Sequence, residues 1–158
     1  MAKFLKHLPS ILICLLLYLS GCSASQVRDI EELKSAPPEI KLEGKTYTLE
    51  VYIWRDFMPT TDTFVNTGIM GSIKIKTSDS TQIPSSLKVT KLWILNKDTV
   101  WETKPVRTNL LAPDILEVFV SRGPSWDKGI KTDVVTEIKL NNKVKLLGIK
   151  NQEIHAVY

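Results

Sequence analysis

From residue 40 onward, hydrophobic and polar residues alternate with a period of two along most of the chain. In the segment 46–54 the two faces differ, with Tyr47, Leu49, Val51 and Ile53 on one and Thr46, Thr48, Glu50, Tyr52 and Trp54 on the other. Such alternation, rich in β-branched and aromatic residues, predicts a strand with one buried face. Further strands are predicted at 69–76, 87–95, 100–103, 130–140 and 144–146, with shorter extended pieces at 40–42 and 153–158.

The spacing of these segments predicts an all-β fold, because turn signals recur about every ten residues and no helical period appears after residue 40. The turns are expected at Asn96-Lys97-Asp98 and Asn141-Asn142, and a change of parity near Lys91 predicts a β-bulge. The run 115–120 is almost wholly apolar and predicts a strand covered on both faces. One core is expected to contain Leu49, Val51, Ile53, Ile73, Val134 and Ile138, with Trp93 and Trp101 also buried.

In strand number and length, the segment 40–158 resembles an immunoglobulin-like or fibronectin-like antiparallel β-sandwich of about seven or eight strands. The resemblance is one of architecture, since the Cys…Trp…Cys spacing of immunoglobulin domains is absent. A small barrel is the alternative with the same strand pattern.

The first 22 residues follow another pattern. Lys3 and Lys6 precede an apolar run from Leu8 to Leu19, which is followed by Ser20-Gly21 and Cys22. A basic start, a short apolar region and small residues before a cut site are typical of an export signal. A membrane-spanning helix needs about 20 apolar residues, more than this run supplies.

The tetrapeptide Leu19-Ser20-Gly21-Cys22 resembles the lipobox of bacterial lipoproteins. The resemblance implies cleavage before Cys22, a diacylglyceryl group on its thiol and acylation of the new amine. The expected location is therefore the bacterial cell envelope, with the acyl chains in the lipid bilayer. Ser23, in place of Asp after the cysteine, implies sorting to the outer membrane with the domain facing the periplasm, in a host with two membranes.

Three segments follow from these patterns: a signal peptide at 1–21, a lipidated tether at 22–39 and a β domain at 40–158. Within the tether, the spacing of Ile30 and Leu33 predicts one weak helical turn that ends before Pro37. The β domain has no disulfide, because the only cysteines of the chain are Cys14 and Cys22.

Charge gives little indication of a ligand. The whole chain has 21 Lys and Arg against 17 Asp and Glu, and the signs alternate along the β domain. Because no run of five or six like charges appears, the sequence supports neither a nucleic-acid partner nor a polybasic membrane patch.

Catalytic and metal-binding patterns are also absent from the sequence. After the signal peptide, His155 is the only histidine and no free cysteine remains, so neither a zinc cluster nor a Ser-His-Asp triad is expected. The carboxylates are scattered over the polar faces of strands. The sequence predicts a protein that is not an enzyme and has no metal or cofactor, apart from the lipid on Cys22.

Two loops contain residue types that dominate binding interfaces. Trp54 ends the strand 46–54 and is followed by Arg55 and Asp56, and Arg122, Trp126 and Asp127 lie in a Pro- and Gly-containing connection. One hypothesis is a binding or structural module that holds an envelope protein or a glycan. The alternative is an envelope enzyme or enzyme inhibitor that acts through loops 54–62 and 121–129. A purely structural role, in which these residues cap the sandwich, is also open.

Overall fold

The computed structural model describes residues 28–58 and 68–158, and this part of the chain is almost wholly β-structure, which confirms the predicted all-β class. Cys22, the signal peptide and the loop beyond Met58 lie outside the described residues. The elements are helix α1 (Ile30–Lys34) and strands β1 (Glu39–Leu42), β2 (Lys45–Asp56), β3 (Met70–Thr77), β4 (Leu87–Asn96), β5 (Thr99–Thr103), β6 (Arg107–Ala112), β7 (Ile115–Val120), β8 (Lys131–Leu140) and β9 (Lys143–Val157).

The strands form one nine-stranded sheet in the order β5-β4-β8-β9-β2-β3-β7-β6, with β1 also paired to β2. We call β1, β2, β3, β7, β6 and residues 154–157 of β9 the first limb, and β5, β4, β8 and residues 143–153 of β9 the second limb. Neighbouring strands are antiparallel except β2 and β9, which run parallel from the pair Ile53 and Ile154 to the pair Asp56 and Val157. The predicted antiparallel pairing is therefore corrected at this junction, and the described residues form nine strands rather than the expected seven or eight or so.

The sheet curls around one main core, to which both limbs contribute. Leu49, Ile53 and Ile73 are buried on the first limb, and Val134 and Ile138 are buried on the second limb, as predicted. The remaining members of the predicted set lie near this core, since Val51 and Trp101 are partly buried against it. Trp93 is buried as well, but in a second cluster on the outer face of the second limb.

A bulge in β9 joins the two limbs. Residues 143–153 of β9 pair with β8, and residues 154–157 pair with β2. The register shifts between the pairs Val134–Ile149 and Thr132–Gln152, so β9 has one residue more than β8 at this point. Asn151 adopts φ 58°, and its N–H donates to Asp133 Oδ1 at 3.0 Å. A bulge of this kind bends a strand, which lets β9 leave one limb and enter the other.

Several local predictions are confirmed and two are corrected. The bulge in β4 occurs between Val89 and Lys91, and the tight turns have positive φ at Lys97 and Asn141. The run 115–120 is covered on one face only, where Leu116, Val118 and Val120 are buried and alternate with half-buried Ile115, Glu117 and Phe119. Strand β6 was not expected, because it is an edge strand with mostly exposed residues and therefore lacks alternation.

The described part of the predicted tether packs on the second limb. Helix α1 begins after Asp29, whose side chain accepts a hydrogen bond from the Glu31 N–H. Leu33 of this helix is 1% exposed and belongs to a cluster with Ala36, Trp93, Leu95 and Val135. A helix this short is marginal alone, so burial of its apolar face against the sheet must supply most of its stability.

A close backbone contact holds the chain after α1. The Gly148 N–H of β9 donates to the Pro37 carbonyl at 2.8 Å. A Cβ at position 148 would lie 2.9 Å from the Ala36 Cβ and 3.1 Å from the Ala36 carbonyl oxygen. Glycine is therefore required for this approach.

A second contact holds the beginning of the described chain. Arg28 Nη2 donates to Glu137 Oε2 at 2.9 Å, and the Thr90 hydroxyl donates to Glu137 Oε1 at 2.6 Å. Burial opposes ionisation of Glu137, but the hydrogen bonds from Thr90 and Arg28 outweigh it and lower the pKa of this carboxyl. Ionised Glu137 thus ties the segment before α1 to β4 and β8.

The substitutions Ile138→Ala and Lys139→Ala test the register of β8. Ile138 is fully buried and Lys139 is exposed. We expect Ile138→Ala to lower the free energy of unfolding by about 2–5 kcal/mol through lost burial and a cavity. Lys139→Ala should change it by less than about 0.5 kcal/mol. Denaturant unfolding measures both values, and equal losses would contradict the register.

The substitution Glu137→Gln should give a pH-dependent loss of stability. Because the pKa of Glu137 is lowered in the folded state, its ionised form stabilises the fold above its unfolded pKa. This stabilisation disappears as the pH falls through the folded pKa. We expect a loss of about 1–2 kcal/mol near pH 7 that shrinks below about pH 4.

Unfolding of the wild type, Glu137→Gln and the exposed control Glu153→Gln across this pH range measures the effect. A loss for Glu137→Gln that stays the same at pH 7 and pH 3.5 would contradict the assignment.

Candidate functional site

The outer face of the first limb has a group of aromatic side chains at one end. Trp54 of β2 pairs with His155 of β9. Tyr52 lies two residues before Trp54, on the same face of β2. Tyr52 pairs with Ser72 of β3, which pairs with Phe119 of β7. Phe119 in turn pairs with Arg107 of β6. We call this surface the aromatic face and define it by Tyr52, Trp54, Arg107, Phe119 and His155.

The side chains of the aromatic face contact one another. The Tyr52 ring stacks on the His155 ring, with centroids 4.9 Å apart, and lies 5.3 Å from the Trp54 ring. Trp54 and Phe119 are 5.7 Å apart, and the Arg107 guanidinium lies 5.3 Å from the Phe119 centroid. These distances are in the range of favourable aromatic and cation–π contacts, so the five side chains form one continuous surface.

This surface is open to solvent. Tyr52 is 49% exposed, His155 and Arg107 are exposed, and Trp54 and Phe119 are half-buried. Aromatic rings that remain exposed do not contribute the favourable free energy that they would gain by burial in a core. Such a patch in a folded protein commonly marks a binding surface.

Polar and paired charged residues border the aromatic face. The Ser72 hydroxyl donates to Glu117 Oε1 at 2.5 Å. Further along the same face, Glu50 is paired with Lys76 and, at 3.1 Å, with Lys74. The hydrogen bonds from Lys76 and Lys74 lower the pKa of Glu50. An apolar centre with a polar rim is the usual composition of a binding interface.

The structure separates the three predicted residues at the end of β2. Trp54 belongs to the aromatic face, and Arg55 points to the opposite face because successive side chains alternate along a strand. Arg55 Nη1 donates to the Ser125 carbonyl at 3.0 Å and to the Trp126 carbonyl at 3.3 Å. The carboxylate of Asp56 accepts the Met58 N–H at 2.8 Å, which forms a local turn.

The predicted residues of the 121–129 connection have different surroundings. Asp127 Oδ1 lies 3.6 Å from Arg55 Nη1, so the structure brings these two residues together. Trp126 is half-buried and packs against the main core. Arg122 is exposed with φ 63°, and among the described residues no carboxylate forms an ion pair with it. Arg55 thus binds backbone carbonyls and Trp126 packs against the main core, which is the arrangement that a structural role for these residues predicts.

Arg55 also belongs to a cluster of cations and aromatic rings. Phe57 and Tyr158 stack with centroids 5.9 Å apart. Arg55 lies 4.9 Å from the Phe57 centroid, and Lys128 lies 4.9 Å from the Tyr158 centroid and donates to its hydroxyl. The last residue of the chain is held here by these contacts.

Sequence reasoning missed four members of the aromatic face: Tyr52, Arg107, Phe119 and His155. Tyr52 and Trp54 could have been identified from the sequence, because they are aromatic residues on the predicted polar face of the strand 46–54. The other three come from β6, β7 and β9, and only the register between distant strands brings them together.

Residues 28–58 and 68–158 contain no group of three or more His, Cys, Asp or Glu side chains that could hold a metal ion. In the same residues, no helix has the length and apolar character needed to cross a bilayer. Comparison of the chain with protein-family models, with curated proteins and with solved structures gave no match. The function is therefore inferred from the residues of this chain.

Proposed function

We propose that this chain is a lipid-anchored protein of the bacterial envelope that holds another envelope component, a protein or a glycan, on its aromatic face. The observation that carries this proposal is the continuous exposed surface formed by Tyr52, Trp54, Arg107, Phe119 and His155. Tyr, Trp and Arg contribute most of the binding energy in protein interfaces. Aromatic rings bordered by hydrogen-bonding groups also suit the apolar faces and hydroxyls of sugars.

We further propose that the curled sheet is a variant of the immunoglobulin-like β-sandwich. The support is that both limbs contribute to one core, as two packed layers do. The parallel pairing of β2 and β9 and the bulge of β9 are the departures from a purely antiparallel sandwich.

The anchor of the proposed lipoprotein is Cys22. The five residues between Cys22 and Arg28 can span no more than about 20 Å when extended. Arg28 and α1 lie on the outer face of the second limb, whereas the aromatic face lies on the outer face of the first limb. Because the two limbs enclose one core, the aromatic face and the start of the described chain lie on opposite outer faces of the domain.

We propose a non-catalytic role for loops 54–62 and 121–129. In their described parts, Arg55 binds the carbonyls of residues 125 and 126 and the carboxylate of Asp127, and Asp56 forms a local turn. These contacts use the charges to hold backbone, which favours a binding module over an enzyme or inhibitor.

The substitution Cys22→Ser tests the anchor. Two or three acyl chains hold a protein on a membrane stably, at about 0.8 kcal/mol per buried methylene. We expect wild-type protein to sediment with membranes and, in a host with two membranes, to move to the outer-membrane fraction of a density gradient. The Cys22→Ser variant should be soluble or remain unprocessed.

Mass spectrometry of the mature wild-type chain gives the decisive control. An unmodified Cys22 would contradict lipidation, and co-migration with inner-membrane markers would contradict the outer-membrane location.

The substitution Tyr52→Ala tests the aromatic face, with Tyr158→Ala as a matched control. Both tyrosines are exposed, but Tyr158 belongs to the cluster with Phe57 and Lys128. Each variant is crosslinked in native envelopes and the recovered protein and glycan are quantified. We expect Tyr52→Ala to lower recovery of the main crosslinked component about tenfold, since loss of an interface aromatic often costs more than about 1 kcal/mol.

Tyr158→Ala should retain recovery. Thermal unfolding of both variants checks that they are folded. Full recovery with folded Tyr52→Ala would contradict binding through the aromatic face.

A further inference from the structure

Four lysines surround a cavity of about 210 Å³ on the outer side of the second limb. We call it the lysine cleft and define it by Lys34, Lys97, Lys131 and Lys150. Leu95 and Asp133 also line it. None of these residues belongs to the aromatic face or to the predicted loops.

Four separate elements supply the lysines. Lys34 is the last residue of α1 and Lys131 is the first residue of β8. Lys97 lies in the turn between β4 and β5 with φ 54°, and Lys150 lies in the bulge of β9, next to Asn151. Irregular backbone at the β4–β5 turn and at the bulge of β9 brings Lys97 and Lys150 to the cleft. Because the four lysines are far apart along the chain, the sequence shows no run of positive charge.

The cleft has an excess of positive charge. Lys34 pairs with Glu31 at 3.3 Å and with Asp98 at 3.2 Å. Within the described part of the chain, no carboxylate forms an ion pair with Lys97, Lys131 or Lys150.

Asp133 is the one carboxylate that lines the cleft, and one of its oxygens already accepts the Asn151 N–H at 3.0 Å. An anion in the cleft would therefore meet three ammonium groups whose charge is not balanced by a bound carboxylate.

We propose that the lysine cleft binds the phosphate of an anionic phospholipid headgroup, an inference that rests on the proposed anchoring through Cys22. Lysine ammonium groups form short, charge-assisted hydrogen bonds to phosphate oxygens. The cleft includes a residue of α1, and the chain before α1 reaches its proposed acyl chains within about 20 Å. The cleft therefore lies on the same outer face of the second limb as the segment that leads to the proposed anchor.

Headgroup binding would fix the orientation of the domain relative to the bilayer. An acyl chain alone holds the domain near the bilayer but leaves it free to rotate about the tether. Each lysine near an anionic membrane surface strengthens association about fivefold. Cleft lysines that hold a headgroup would fix the second limb toward the bilayer.

The test uses the full mature protein purified in neutral detergent, titrated with water-soluble probes and followed by NMR of labelled lysine side chains. The probes are inorganic phosphate, glycerophosphoglycerol and glycerophosphocholine. We expect saturable shifts of the cleft lysines with glycerophosphoglycerol, and binding of glycerophosphocholine at least fivefold weaker. The double variant Lys97→Gln/Lys131→Gln should weaken glycerophosphoglycerol binding at least about tenfold, because each substitution removes a charge-assisted hydrogen bond to the phosphate.

A matched control removes the same charge from the same limb. Lys88 and Lys139 lie opposite each other on neighbouring strands and are exposed outside the cleft. The double variant Lys88→Gln/Lys139→Gln should change the affinity by less than about twofold.

Three results would overturn the proposal. Equal weakening by both double variants would show diffuse attraction by net charge rather than a site. Saturation with inorganic phosphate but not with glycerophosphoglycerol would rule out the lipid headgroup as the source. Absence of saturation with every probe would rule out the site. Because the probes are soluble, these outcomes are independent of the sedimentation and crosslinking tests of the proposed function.

Discussion

The structure depends on the hydrogen bonding of β9, which pairs with β8 in its first part and with β2 in its last part. The bulge opposite Asp133 makes this change of neighbour possible, and Asn151 supplies the left-handed backbone that the bulge needs. Since β2 and β8 belong to different limbs, β9 makes them one sheet around one core. The same bulge places Lys150 at the lysine cleft, so one local irregularity supports both the fold and a surface site.

Much of the fold could be predicted from the period of two, because burial of one face of a strand leaves that pattern in the sequence. This pattern predicts that Leu49, Ile53 and Ile138 belong to the core, and all three are buried. Strand β6 escaped prediction because an edge strand with two exposed faces carries no such pattern. The packing of α1 was not predictable either, because no local feature of Ile30–Lys34 shows that its apolar side contacts Trp93 and Leu95.

The candidate sites were less predictable because both depend on which strands are neighbours. The predicted loop residue Trp54 does belong to the aromatic face, but Phe119 and His155 join it only through the registers of β7 and β9. The two outer faces thereby differ in a way that matters for function. The N-terminal segment covers the apolar residues of the second limb, whereas the aromatic residues of the first limb remain open.

The proposed orientation, with the second limb toward the bilayer and the aromatic face away from it, can be measured on the anchored domain. The mature chain would have no free thiol, so Asn109→Cys on the first limb and Lys139→Cys on the second limb can each take one spin label. Anchored protein in vesicles with nickel-chelating headgroups then reports the distance of each label from the bilayer through its relaxation rate. Headgroup binding by the second limb predicts markedly faster relaxation at position 139 than at position 109. Equal rates, or faster relaxation at position 109, would contradict it.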